Sequence, residues 1–108
     1  MSRDPDERID DILAAIDRCQ RYLPLLVGRD QTLAEMAEDA IERNLQIIGE
    51  AAKALPERVT DTSPDVPWPQ IRGLRNILVH QYFSVDSDVI REVVEVHLPM
   101  LAKALGRP

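Results

Sequence analysis

The 108-residue sequence has few cysteines, few aromatic residues and no long apolar run, and each shortage excludes a class of protein. Its single cysteine, Cys19, excludes an internal disulfide and a cysteine-rich zinc site, and we expect this residue to be reduced, partly buried and inert. No apolar stretch approaches the length of about 18 residues that a membrane helix needs. No apolar run follows Met1, so the sequence predicts no signal peptide, no membrane contact and a cytoplasmic location.

Composition and charge favour one compact helical domain over residues 1–108. Hydrophobic residues make up 44% of the chain but aromatics only 4%, so most apolar side chains are aliphatic, and the abundance of Leu, Ala and Glu favours helix over sheet. The formal net charge is −6, which repels phosphate backbones at long range and counts against strong non-specific binding of nucleic acid. A local basic cleft on an acidic protein remains compatible with this charge.

Apolar residues at spacings of three and four predict four helices and therefore an all-α, antiparallel four-helix bundle. The last helix should be kinked at Pro99, which lacks a backbone N–H. Residues 56–67, with three prolines, are predicted to be a loop. The four predicted helices cover approximately residues 6–23, 32–55, 69–83 and 87–105.

Local signals suggest where these helices begin. Asp4 before Pro5 and Asp86 before the last helix are plausible N-caps. Thr32 with Glu35 has the spacing of a capping box, and Leu33 opens the apolar stripe of the second helix. Trp68 lies between two prolines, which predicts an extended backbone and an indole that anchors the preceding loop in the core.

The third helix carries an unusual polar sector. Arg72, Asn76 and His80 are spaced i, i+4 and i+8, with Arg75 on the flank and Phe83 among them. A large aromatic within a polar sector indicates that the sector is partly covered, most simply by a second copy of the chain across a two-fold axis. Both copies would then line one cleft. An exposed face or a polar dimer interface remains an alternative for this pattern.

Such a set of side chains suits chemistry on a phosphodiester. Histidine titrates near neutrality and can move a proton, and arginine offers fixed donors to phosphate oxygens. Two copies of His80 would supply an acid and a base together. No carboxylate cluster has metal-ligand spacing, so the sequence predicts no metal and no cofactor.

Two stretches of the sequence resemble the HepT-like HEPN toxins. The stretch from Arg75 to Tyr82 is similar to the R-x-x-x-x-H-x-Y signature of that family, extended here by Asn76 and preceded by Trp68. The stretch at residues 43–53, RNLQIIGEAAK, is similar to the family's long second helix. The resemblance covers nearly the whole chain.

This resemblance implies a homodimeric, metal-independent endoribonuclease toxin whose catalytic residues are Arg75, Asn76 and His80. Its partner would be a minimal nucleotidyltransferase antitoxin of a type VII-like pair, and its substrate would be RNA. In such pairs the antitoxin can transfer AMP to the motif tyrosine, which corresponds to Tyr82. A bulky anion there would keep RNA out of the cleft. The alternative for Tyr82 is packing at the edge of the core.

Other residues have weaker assignments, and two other functions stay open. Arg72 is either a phosphate-binding residue or an exposed arginine. Arg43 and Glu50 share one helix face, where we favour a structural role, and His97 is expected to be a core or interface histidine rather than a ligand. The alternative functions are a non-catalytic helical dimer that binds a nucleotidyltransferase or a nucleotide, and a plain structural dimer.

Overall fold

A computed structural model describes residues 4–74 and 87–106, and these residues form helices and turns with no strand among them. The all-α prediction is therefore confirmed. Within the described part of the chain, no helix is long and apolar enough to cross a membrane. The elements in chain order are α1 (Pro5–Tyr22), a 3₁₀ turn (Leu23–Val27), α2 (Gln31–Lys53), α3 (Glu57–Thr60), α4 (Trp68–Arg72), α5 (Ser87–Glu92), a π-helical turn (Val93–His97) and α6 (Leu98–Leu105).

Helix α1 begins at the predicted signal. The Asp4 carboxylate accepts a hydrogen bond from the backbone N–H of Asp6 at 2.8 Å, and Pro5 occupies the first turn, where its missing N–H leaves no bond unmade. The helix ends at Tyr22, and Pro24 lies in the tighter 3₁₀ turn after it. This turn redirects the chain toward α2.

Helix α2 begins at a different residue from the one the sequence pattern indicated. The predicted capping box of Thr32 and Glu35 is wrong, because Asp30 is the N-cap and its carboxylate accepts from the Leu33 N–H at 3.1 Å. Thr32 already lies inside the helix, where its hydroxyl is not placed to cap the first turn. Leu33 is 44% exposed and is not part of the buried stripe.

Helices α1 and α2 form an antiparallel hairpin, and they contact each other more extensively than any other pair of described elements. Late residues of α1 lie beside early residues of α2: the Cys19 thiol is 3.9 Å from the carbonyl oxygen of Ile41. Cys19 is fully buried, and desolvation raises the pKa of its thiol to about 12. The fully or nearly fully buried side chains of this seam are Ile12, Ala15, Ile16, Cys19, Ile41, Leu45, Ile48 and Ala52.

The segment between α2 and α4 departs from the predicted loop at two points. Residues 57–60 form the short helix α3, and Trp68 is the first residue of α4 rather than an extended residue. The anchor role of Trp68 is confirmed: the side chain is buried, and its indole N–H donates to the carbonyls of Thr60 at 3.1 Å and Ser63 at 3.0 Å. Burial and these two bonds outweigh the local preference of a residue before proline.

The last helical region is interrupted, as the sequence predicted, and its inner face packs on α1. The interruption is a π-helical turn at Val93–His97, and Pro99 lies in the first turn of α6 directly after it. Proline has no N–H to donate to the carbonyl oxygen four residues earlier, and its ring collides with that carbonyl group. A π-helical turn accommodates the ring because its backbone is wider than that of an α-helix. The predicted N-cap, Asp86, lies outside the described residues.

Candidate functional site

The predicted catalytic residues Arg75, Asn76 and His80 and the predicted modification site Tyr82 lie outside the described residues. We call residues 75–86 the motif segment. The structure describes both of its neighbours along the chain: α4 with Gly73 and Leu74 on the N-terminal side, and α5 with the π-helical turn on the C-terminal side. These two flanking parts, residues 68–74 and 87–97, are together named the motif frame.

The N-terminal side of the motif frame is fixed in the core. Trp68 anchors the start of α4, and Ile71 and Leu74 are buried at 2% and 4% exposure. Arg72 lies in the last turn of α4 and is half-exposed. The chain therefore enters the motif segment from a buried leucine, one residue before Arg75, and the phosphate-binding role of Arg72 stays a prediction.

A glycine on α2 sets how closely α4 can approach. A Cβ atom added at Gly49 would lie 3.3 Å from the carbonyl oxygen of Ile71 and 3.6 Å from that of Arg72. The absence of a side chain at Gly49 thus lets the α4 backbone rest on α2 just before the motif segment. In the sequence, Gly49 stands out only as part of the family-like stretch at residues 43–53. Its signal was a glycine in the interior of a long amphipathic helix, which usually has a packing reason.

A mainly apolar cleft opens between the two sides of the motif frame. Its volume is about 290 Å³. The floor includes the buried Ile71, Leu74 and Val93, and half-buried His97 lines it as well. Pro67, Gln70, Val89 and Glu92 complete the lining.

Arg43 and Glu50, expected to share a helix face, line one open groove between α1 and α2. Arg8 and Asp11 of α1 line the same groove, so its four charges balance. The Arg43 guanidinium donates to the side-chain oxygen of Gln46 at 3.3 Å. A balanced groove supports the structural role that we favoured for Arg43 and Glu50 rather than binding of a polyanion.

The first half of α2 is strongly acidic. Burial, and then the neighbouring carboxylates of Glu38 and Asp39, raise the pKa of Glu42 above its usual value. Repulsion among these carboxylates indicates a local negative potential, which disfavours an approach of RNA along this part of α2. Among the described residues, no group of three or more His, Cys, Asp or Glu side chains is placed to hold a metal ion.

Comparison with known proteins shows similarity to HepT-like ribonucleases. The family profile described as "Ribonuclease HepT-like" matches residues 12–107, a span that includes the motif segment. A protein of Thermococcus cleftensis named "Probable ribonuclease HepT" is 31% identical over 101 residues, which cover 94% of this chain and 92% of that protein.

Other relatives are matched over part of their length. A "Putative RNase" of Caldanaerobacter subterraneus is 42% identical over 64 residues, 59% of this chain and 57% of that protein. A Methanocaldococcus jannaschii protein whose name joins a gamma-glutamylcyclotransferase to a putative RNase is 30% identical over 105 residues, 97% of this chain and 47% of that protein. This chain thus spans about half the length of these two relatives. No solved structure matches the chain.

Proposed function

The chain belongs to the family of HepT-like ribonucleases, and from that premise we propose that it is a metal-independent endoribonuclease toxin that acts in the cytoplasm. The observation that carries the proposal is the family match over residues 12–107, because it runs through the motif segment in which Arg75, Asn76 and His80 are all present. The reaction then uses one domain, residues 1–108, in two copies.

The proposed chemistry needs a proton acceptor, a proton donor and a fixed positive charge. One His80 imidazole takes the proton from a ribose 2′-hydroxyl, which attacks the adjacent phosphorus, and the second copy's imidazolium protonates the leaving 5′-oxygen. Arg75 holds the phosphate oxygens as charge builds in the transition state, and Asn76 orients the phosphate or the imidazole. A homodimer is part of the proposal because it supplies both imidazoles at one cleft.

The packing of the N-terminal side of the motif frame supports this proposal. Buried Trp68, Ile71 and Leu74 and the contact at Gly49 hold the chain at the entry to the motif segment. Catalytic groups must be held close to their productive geometry, and a scaffold fixed by packing does so better than a free loop.

The test is cleavage of total RNA and of tRNA in the presence of EDTA. Wild-type protein should cleave, whereas Arg75→Ala and His80→Ala should lose at least about 100-fold in rate. Arg58→Ala is a matched control, because Arg58 is an exposed arginine on α3. Equal cleavage by wild type and His80→Ala would reject the assigned chemistry.

We further propose that a minimal nucleotidyltransferase antitoxin silences the enzyme by transferring AMP to Tyr82. Incubation with such a partner and ATP should add one adenylyl group to the intact protein and abolish cleavage. Tyr82→Phe should block the addition, whereas Tyr22→Phe should not, since Tyr22 is half-buried on α1 beside Arg21. Modification of Tyr82→Phe would place the acceptor elsewhere.

The second candidate is a non-catalytic helical dimer that binds the nucleotidyltransferase or a nucleotide. The observation in its favour is the acidic surface of α2 together with the net charge of −6. Absence of cleavage by wild-type protein, with Tyr82 shown by intact mass to be unmodified, would select this candidate.

A further inference from the structure

We propose that the 290 Å³ cleft of the motif frame binds one unstacked base of single-stranded RNA, and that it prefers a base with an exocyclic amino group over uracil. The inference rests on the proposed ribonuclease function and adds the part of the substrate that this chain would recognise. It also gives His97 and Glu92 a role that neither the fold nor the proposed chemistry requires.

The size and lining of the cleft fit a single ring system. A volume of about 290 Å³ lies just below the range of about 300–1,000 Å³ for small-molecule pockets and is too small for several nucleotides. The buried side chains of Ile71, Leu74 and Val93 offer an apolar floor to a flat base. Small-molecule sites share this design, in which apolar walls give affinity and a few polar groups give orientation.

The polar groups of the cleft match those with which proteins read unpaired bases. Half-buried His97 lines the cleft, and an imidazole ring is one of the aromatic groups on which proteins stack unpaired bases. Exposed Glu92 can accept hydrogen bonds from an amino group, and the exposed amide of Gln70 can donate and accept. Uracil offers only its N3–H, which lies between two carbonyl oxygens that repel a carboxylate, so a carboxylate acceptor favours a base with an exocyclic amino group over uracil.

The position of the cleft along the chain links it to the proposed catalytic residues. The lining includes Leu74, the residue before Arg75, and Val89, three residues after the motif segment. The described residues on both sides of the motif segment thus lie beside the cleft, and we infer that a base next to a phosphodiester bound by the motif segment can reach it.

The acidic charge of the protein gives a physical reason for such a site. With a net charge of −6, the chain gains little affinity from the phosphate backbone. Stacking of a base on an aromatic side chain requires no net positive charge and is a main source of affinity for single-stranded nucleic acid. Binding through a base also selects single-stranded over double-stranded RNA, since only an unpaired base can enter the cleft.

Two variants and two matched controls test the proposal. Val89→Trp fills the cleft, and Glu92→Gln replaces its acceptor by a group that also donates. Val96→Trp and Glu95→Gln make the same changes at exposed positions of the π-helical turn that do not line the cleft. Thermal unfolding of all four variants establishes that each is folded.

Each protein is assayed for the bases beside its cut sites in total RNA and for its affinity for labelled oligoadenylate and oligouridylate. We expect wild type to bind oligoadenylate about tenfold more tightly than oligouridylate. Val89→Trp should weaken oligoadenylate binding about tenfold, and Glu92→Gln should remove most of the preference, while both controls behave as wild type.

The outcomes separate this proposal from the proposed function. Wild-type protein could bind oligoadenylate through the cleft without cleaving RNA. This result would contradict the proposed ribonuclease function but would support the proposed base-binding site. Cleavage with a base preference that Val89→Trp and Glu92→Gln both leave unchanged would reject the base site alone. Loss of self-association in Val89→Trp at an unchanged base preference would show a second copy of the chain in the cleft and would also reject it.

Discussion

In the α1–α2 hairpin, two helices of 18 and 23 residues meet along an apolar seam, whereas the motif frame combines a five-residue helix, a glycine and a helix interrupted by a π turn. The seam of the hairpin is almost completely buried, although Leu33 and Met36 on the outer side of α2 are exposed. The motif frame leaves a cleft and places Arg72, Glu92 and His97 where solvent reaches them.

This difference shows how a small domain divides its work. Long amphipathic helices supply most of the buried apolar area and therefore most of the stability. Short elements and helix irregularities bury less, but they can place polar groups beside an opening, and π-helical turns are frequent at functional sites. Substitutions in the hairpin should thus act on stability, and substitutions at the motif frame should act on activity.

Among the substitutions considered, we expect the largest change in the free energy of unfolding from one in the hairpin. Ile41→Ala should lower the free energy of unfolding by about 3 kcal/mol, because it removes buried methyl groups from a side chain with 0% exposure and leaves a cavity. Urea denaturation measures this loss, and the cleavage rate per folded molecule at low temperature should stay unchanged. Loss of activity without loss of stability would contradict the division.

Because the Cys19 thiol is buried in the hairpin, we also expect the free energy of unfolding to depend on pH. Burial raises the pKa of Cys19 to about 12, so above about pH 9 the unfolded thiol loses its proton while the folded thiol keeps it. Stability attributable to Cys19 should then fall by up to about 1.4 kcal/mol for each pH unit between about 9 and 12. Urea denaturation across this range should show a shallower decline for Cys19→Ala than for wild type. Equal declines would place the Cys19 thiol in a more polar environment.

At the boundary of the two regions, Gly49→Ala should reduce kcat about tenfold with little change in KM. The added Cβ, 3.3 Å from the Ile71 carbonyl oxygen, must displace the α4 backbone by a few tenths of an ångström just before the motif segment. The gain in helix propensity of about 1 kcal/mol offsets the strain, so the unfolding free energy should change by less than about 1 kcal/mol.

Gly28→Ala is the matched control for Gly49→Ala. A Cβ at Gly28 would meet only the Leu25 carbonyl oxygen at 3.4 Å, an ordinary contact in the turn before α2. This variant should keep wild-type kcat. Full activity of Gly49→Ala would mean that the position of α4 does not control the motif segment.

The smallest expected change in stability distinguishes the two residues that could cap the start of α2, Asp30 and Thr32. Asp30→Ala should lower the unfolding free energy by about 1 kcal/mol, because the Leu33 N–H loses its acceptor. Thr32→Ala, the residue that the capping-box pattern singled out, should cost much less. The reverse order of the two losses in chemical denaturation would restore the capping box.

Prediction from sequence succeeded where one local rule had no competitor. The N-cap Asp4, the two long helices of the hairpin and the interruption before Pro99 came from propensity and spacing. It failed where two signals competed: Asp30 and Thr32 both suit a cap, and the proline rule for Trp68 yielded to its burial and two indole hydrogen bonds.

The candidate site divides in the same way. Arg75, Asn76, His80 and Tyr82 were recognisable from spacing and family resemblance, and their roles stay proposals. The close packing of the α4 backbone against Gly49 and the base-sized cleft were not predicted, because each depends on residues far apart in the chain. No pattern within a single helix reports the distance between two helices.

The sequence by itself determined the helical class, the apolar stripes and the order of chemical groups along the third segment, because these depend on local propensity and on a periodicity of 3.6 residues. Tertiary structure decided which residue is the N-cap of α2 and how closely α4 packs on α2. It also decided how completely the Cys19 thiol is desolvated and where a cleft opens. These are properties of packing between distant segments, and packing is fixed only when all the side chains compete for the same space.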